Sequence, residues 1–166
     1  MRTSKPEICL QLLQDSDEPF LWEMLYQALY VPEGQPPFAR EILSEPDIAC
    51  YVKGWGRPGD WGFLACDGGK PIGAIWLRLW TGEERGYGYV DETIPEMSIA
   101  ILPEYRRSGL GTRMISEVIR TAQPDYSGIS LSVVESSPAR RLYERLGFLR
   151  VGKVGDSLVM LLKWEK

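Results

Sequence analysis

The chain has 166 residues, 44% of them hydrophobic and 25% charged, with 17 Gly, 12 Pro and a formal net charge of −4. Those values describe one ordinary globular domain spanning residues 1–166. They argue against an extended phosphate-tracking, nucleic-acid-binding surface and suit a cationic acceptor. The absence of histidine excludes Ser-His-Asp and Cys-His nucleophile systems and speaks against a catalytic zinc, leaving acid-base chemistry to carboxylates, Tyr, Cys or Lys.

In chain order, Met1 to Pro6 is followed by Glu7 rather than an apolar segment, and no later apolar run approaches the ~20 residues that span a bilayer. The expectation is a soluble, cytoplasmic protein without membrane attachment. Cys9, Cys50 and Cys66 are odd in number and widely spaced along the chain, as reduced thiols are. Ile8 to Leu13 reads as a strand. Asp15-Ser16-Asp17 then offers N-cap chemistry for a helix through Leu29, with Phe20, Leu21, Met24, Leu25 and Ala28 on one face. Val31 to Pro37 is a loop, and Phe38 to Leu43 and Asp47 to Lys53 read as short helices.

Gly54 to Asp60 is a turn-rich connector. Trp61 to Cys66 and Ile72 to Leu79 flank Asp67-Gly68-Gly69-Lys70 as a hairpin, and Thr81 to Tyr89 reads as a mobile loop. Glu96 to Leu102 alternates as a strand. From Gly109 the period becomes helical, with Leu110, Met114, Ile115, Val118 and Ile119 on one face. Ile129 to Val133 reads as a strand. Ser136-Ser137 supplies a cap, and Pro138 starts a short helix that Gly147 ends. Phe148 to Lys153 and Leu158 to Trp164 complete the chain as strands.

Two segments carry chemistry. The first runs from the strand Glu96 to Leu102 through Pro103-Glu104-Tyr105 into Arg106-Arg107-Ser108-Gly109-Leu110-Gly111-Thr112. A glycine-rich helix start presents unpaired N–H groups and partial positive charge to a phosphate. Alone, it also fits a plain strand-to-helix turn with a solvated arginine pair. A Walker loop is excluded, because Gly111 is followed by Thr112-Arg113, and a dinucleotide fingerprint fails on Met114.

The second segment is Ser136-Ser137-Pro138-Ala139-Arg140-Arg141-Leu142-Tyr143-Glu144-Arg145-Leu146-Gly147-Phe148. Ala139, Leu142, Tyr143 and Leu146 form a helical stripe that also fits a core face containing tyrosine.

The first segment resembles motif A of the GNAT superfamily, R/Q-x-x-G-x-G/A, through Arg106, Gly109 and Gly111. The second resembles motif B, N-x-x-A-x-x-L-Y-x-x-x-G-F, at every specified position but the first, where Ser136 replaces Asn. The resemblance implies an α/β (α+β) fold: a mixed, mainly antiparallel sheet with helices on both faces and a splayed strand pair where pantetheine enters. It implies acetyl-CoA as cosubstrate. Ile99 and Ile101 would face pantetheine, while Arg106, Arg107, Ser108, Gly109, Leu110, Gly111 and Thr112 would surround the pyrophosphate. Ser136 would take the position of the family's Asn contact.

Tyr143 would protonate the departing thiolate, and a backbone N–H near Ile101 would polarise the carbonyl. Glu96 is the candidate base, with Glu92 and Asp91 in reserve; it also fits a solvated carboxylate at the strand entrance. The expected acceptor is a small-molecule primary amine, with a protein or peptide amine as the alternative. Trp55, Trp61, Trp80, Tyr87 and Tyr89, with Glu83, Glu84, Asp91 and Glu92, are candidates to bind it as a cation, or else they fill the core and solvate a loop. Family habit allows a homodimer, and a non-catalytic CoA-binding module is the other functional class.

Overall fold

The computed structural model describes residues 7–164; Met1 to Pro6, read above as lacking an apolar leader, and Glu165 and Lys166 lie outside the described residues. The strands are β1 (Ile8–Leu12), β2 (Trp61–Asp67), β3 (Lys70–Arg78), β4 (Glu96–Ile101), β5 (Gly128–Val134), β6 (Leu149–Val154) and β7 (Ser157–Lys163). The helices are α1 (Glu18–Ala28), α2 (Pro46–Ala49), α3 (Leu110–Ala122) and α4 (Ala139–Arg145). One seven-stranded sheet forms in the order β1-β2-β3-β4-β5-β7-β6. Its neighbours are antiparallel except β4 and β5, which run parallel and share the single register pair Glu96↔Ser130. This is the mixed, mainly antiparallel sheet anticipated from the sequence.

β3 lies at the centre of its half of the sheet, and Ile72 to Arg78 are all buried. Covering both faces of a strand requires a near-continuous apolar run rather than alternation, and Ile72-Gly73-Ala74-Ile75-Trp76-Leu77 provides one. Helix α3 packs its stripe of Leu110, Met114, Ile115, Val118 and Ala122 with Ile75, Leu77, Met97, Ile129 and Leu131, and α4 adds Tyr143 to that core. Leu21, Met24 and Leu25 of α1 cover the opposite face with Tyr51, Val52, Trp76 and Trp80. The sheet therefore separates two apolar cores, one under each helical layer.

The least regular stretch departs most from its sequence reading. Arg40–Ser44 forms a 3-10 helix rather than the helix expected from Phe38, and α2 ends at Ala49. Four residues make barely one turn, too short to persist on backbone bonds alone, so tertiary contacts hold this segment. The arginine Arg78 supplies the main one. Its guanidinium donates to the carbonyls of Cys50 (2.7 Å) and Lys53 (2.8 Å) and to both oxygens of Asp60 (3.1 and 2.9 Å). Asp60 also accepts the N–H groups of Gly56 and Arg57. Both charged side chains are 1% exposed, so the pair fastens residues 50–60 to the sheet.

Leaving one buried charge without its partner costs about 3–5 kcal/mol. Arg78→Met is therefore expected to lower unfolding free energy by that order in urea denaturation, while Arg120→Met, whose partner Glu117 lies on the helix surface, should change it by under about 1 kcal/mol.

Candidate active site

Beyond the Glu96↔Ser130 pair, β4 and β5 diverge. The Ser130 N–H donates to Pro95 O (3.0 Å) on one side of β4, and the Leu102 N–H donates to Ile72 O (2.8 Å) on the other. Backbone groups alternate along a strand. Even-numbered residues of β4 therefore bond to β3, and the amides of Ile99 and Ile101 point into the gap. A cavity of 320 Å³ opens there, with Leu25, Tyr51, Glu96, Ile99, Ser132 and Tyr143 among its walls. An extended chain with amide groups can pair with this open β4 edge as a strand would.

At the end of β4 the chain passes through Pro103–Tyr105 into the start of α3. Arg107 has φ +60° and Gly109, the N-cap of α3, has φ +84°. Such left-handed positions turn successive amides to one side, beside the unpaired first-turn N–H groups of the helix. A Cβ built at Gly109 would meet no atom within 4 Å, and one at Gly111 would only touch Leu142 and Ile101 at 3.6 and 3.7 Å. The loop is thus open in front and fits a pyrophosphate.

Ser108 Oγ donates to Tyr105 O (2.7 Å), closing the loop's base. Arg106 turns away from the loop mouth: its Nε donates to Ile101 O (2.9 Å), and Nη2 reaches the Gln27 carbonyl and side chain at 3.4 and 3.3 Å. It ties the end of β4 to the end of α1.

On α4, Tyr143 is 9% exposed and packs edge-on against Phe148 at 6.0 Å between centroids. It reaches the cavity from the α4 side, and its hydroxyl has no hydrogen-bond partner among the described residues. Desolvation pushes that hydroxyl up to about 12, so it stays protonated throughout the physiological range. Pro138 is the N-cap of α4 and makes no side-chain cap bond; the preceding Ser137 accepts the Ala139 N–H on its Oγ (3.3 Å), whereas exposed Ser136 presents its carbonyl to the Tyr30 hydroxyl at 3.5 Å.

Glu96 is no solvated carboxylate: it is 2% exposed. Its Oε2 accepts the Tyr51 hydroxyl (2.7 Å), and its Oε1 accepts Trp80 Nε1 (2.9 Å) and the Gly88 N–H (3.0 Å). Burial outweighs these donors and pushes the carboxyl up to about 7 from an ordinary 4.5. The reserves Asp91 and Glu92 are exposed and outside the cavity walls.

Most of the expected acceptor-binding set is also elsewhere. Trp55 and Trp80 are core residues, and Trp61 packs edge-on against Phe63. Glu84 pairs with Arg57 at the surface. Of the five aromatic residues, Tyr87 alone lines the cavity. The loop expected to be mobile is anchored in its second half by the Tyr87 N–H to the Tyr51 hydroxyl (2.7 Å), the Tyr87 hydroxyl to Asp47, and the Gly88 N–H to Glu96. Tyr51, Trp80 and Gly88 were missed as partners of the carboxylate. Gly86-Tyr87-Gly88 is the one local signal, since two glycines around an aromatic residue mark a close backbone approach.

The raised Glu96 value makes stability pH-dependent with a definite sign. Between pH 4.5 and 7 the folded chain binds a proton that the unfolded chain releases, so stability falls as pH rises through that window, by on the order of 3 kcal/mol. Glu96→Gln should flatten the decline, as read by urea unfolding at pH 5 and pH 7.

The acetyltransferase (GNAT) family matches residues 19–148. An N-alpha-acetyltransferase of Sulfurisphaera tokodaii is 40% identical over 134 residues, covering 74% of this chain and 70% of that protein. One of Saccharolobus solfataricus is 41% identical over 58 residues, and that match spans 33% of this chain and only 35% of the relative. The fold superposes on the PaiA N-acetyltransferase of Thermoplasma acidophilum in complex with coenzyme A, with a TM-score of 0.68 at 17% identity over 95% of this chain and 99% of that one. With the family matched across both motif segments, and the splayed β4–β5 pair and open loop between them, the chain belongs to the acetyltransferase (GNAT) family, whose cosubstrate is acetyl-CoA.

Proposed function

We propose that the chain transfers the acetyl group of acetyl-CoA directly to the α-amino group of a peptide, without an acyl-enzyme. The observation that carries this reading is the cavity beside the open β4 edge, whose walls include both a buried carboxylate, Glu96, and the phenol of Tyr143, which has no hydrogen-bond partner among the described residues. In this reading the open edge at Ile99 and Ile101 pairs with pantetheine. The amides of Arg107, Ser108, Gly109, Leu110, Gly111 and Thr112 hold the pyrophosphate. Arg106 shapes that loop through Ile101, and Ser136, whose carbonyl accepts the Tyr30 hydroxyl, would take the remaining contact to the cosubstrate from outside the cavity walls.

Glu96 takes the proton of the amine, an edge amide of β4 polarises the thioester carbonyl, and Tyr143 donates a hydrogen bond to the departing sulfur. Full transfer from Tyr143 would leave a phenolate far more basic than a thiolate of about 8.5. The phenol therefore stabilises the thiolate, and the proton released from the amine reaches it through solvent.

An α-amine, with an ammonium of about 7.7–8.0, offers a larger neutral fraction near pH 7 than a lysine or polyamine nitrogen of about 10.4, and a carboxylate whose proton affinity burial has raised can take the proton lost on attack. The 40%-identical relative from Sulfurisphaera tokodaii, an N-alpha-acetyltransferase, points the same way. A small primary amine is the second reading, favoured by the limited volume of the cavity, 320 Å³.

Thiol release from acetyl-CoA against short peptides with free or blocked N-termini, and against small amines, separates these readings. Release that needs a free peptide N-terminus supports the first, release with small amines alone supports the second, and none despite acetyl-CoA binding leaves a binding module. Tyr143→Phe should lower kcat by about a hundredfold with acetyl-CoA affinity retained in calorimetry; unchanged turnover removes Tyr143 from the chemistry. Gly109→Trp should weaken acetyl-CoA binding at least about tenfold, and normal binding would move the pyrophosphate elsewhere.

A further inference from the structure

We propose that Tyr51, Trp80 and the Gly86–Gly88 segment form a clamp of neutral donors that positions the Glu96 carboxylate and leaves it one open acceptor site for the incoming amine. This rests on Glu96 serving as the base in the reading above. A carboxylate has about four lone-pair sites. Trp80 Nε1 and the Gly88 N–H use the two on Oε1, and the Tyr51 hydroxyl uses one on Oε2. The Tyr51 oxygen itself accepts the Tyr87 N–H at 2.7 Å. That bond aims the Tyr51 proton at Glu96. Tyr51 is fixed in turn by Trp76 Nε1 donating to its carbonyl (3.0 Å) and by edge-on packing against Trp80 at 5.4 Å.

The two glycines are required by this approach. A Cβ on Gly86 would lie 2.4 Å from Glu96 Oε1 and 2.6 Å from the Tyr51 hydroxyl oxygen; one on Gly88 would lie 2.7 Å from the Leu131 backbone and 2.8 Å from Glu96 Cδ. The backbone of the loop is therefore wrapped onto the carboxylate at a distance that no side chain permits.

The surrounding cations do not replace these donors. Arg78, opposite Glu96 in the β3–β4 register, is bound by Asp60. Arg57 is paired with Glu84, and Arg85 lies over the Tyr89 ring. On α2, Asp47 accepts the Tyr87 hydroxyl. β5 contributes the hydroxyl of Ser132, α1 contributes Leu25 and Ala28, and α4 contributes the phenol of Tyr143 to the cavity. Three neutral hydrogen bonds are left to hold the anion against burial, and each lowers the proton affinity of Glu96. Tyr51 and Trp80 are positioning residues: they act on the amine only through Glu96.

The test follows the Glu96 carboxyl directly by 13C NMR of glutamate-labelled protein, assigned with Glu96→Gln, alongside the pH profile of kcat/KM. In Tyr51→Phe the titration midpoint is expected to rise by about one pH unit, and the acidic limb of kcat/KM to rise with it, acetyl-CoA affinity being unchanged. Trp80→Phe, which removes the other side-chain donor, should move the midpoint in the same direction and serves if Tyr51→Phe does not fold. An unmoved midpoint in either folded variant, or a loss of rate that is uniform across pH, overturns the clamp. A shifted midpoint with no matching limb in the wild-type rate profile upholds the clamp and removes Glu96 as the base.

Discussion

Burying one carboxylate organises this molecule. An ionised carboxylate taken out of water without partners costs far more than a domain of this size can spare, and Glu96 sits at the start of β4 with 2% of its surface exposed. Its partners come from parts of the chain distant in sequence: Tyr51 beyond α2, Trp80 after β3, and Gly88 in the following loop. Each must be delivered to within hydrogen-bonding distance at once. The Arg78–Asp60 pair contributes to that delivery by fastening residues 50–60 to the sheet, which seats Tyr51. The polar heart of the second core is thus a chain of dependence running from Asp60 through Arg78 and the Cys50 carbonyl to Tyr51 and Glu96.

The same carboxylate marks the point where the sheet opens. Glu96 and Ser130 form the single β4–β5 register pair, and beyond it the edge of β4 is free to pair with something other than β5. That edge leads into the loop at Arg107–Thr112, whose left-handed Arg107 and Gly109 present amides outward. The two features are consecutive on one strand-to-helix unit, so a single ligand with an extended amide arm and a phosphate group meets both. Arg106, bridging Ile101 and the end of α1, keeps that unit in register with the helix over the cavity.

The proposed chemistry shows how a chain without histidine can still hold a base that works near neutral pH. Desolvation raises a carboxyl toward 7, and neutral donors limit the rise. The same desolvation raises the Tyr143 hydroxyl, with no partner among the described residues to limit the rise, and keeps it protonated, which suits a hydrogen-bond donor. One environment thus supplies both a proton acceptor and a hydrogen-bond donor in the proposed reaction.

The sequence by itself determined the strands, the amphipathic face of α3, the glycine-rich turn into it and the tyrosine helix, because each depends on neighbours within a few residues. Apolar periodicity, the Gly68-Gly69 hairpin turn and the spacing of Arg106, Gly109 and Gly111 are all local quantities. It also singled out Glu96, but not its surroundings. Only the tertiary structure decided that Glu96 is buried rather than solvated, that Trp55, Trp61 and Trp80 fill cores instead of an acceptor site, and that Gly86-Tyr87-Gly88 closes onto the carboxylate. The physical reason is that burial and hydrogen-bond partnership are set by contacts between Tyr51, Trp80, Gly88 and Glu96, residues 8 to 45 positions apart, and no local pattern encodes which of many polar groups the fold will bring together.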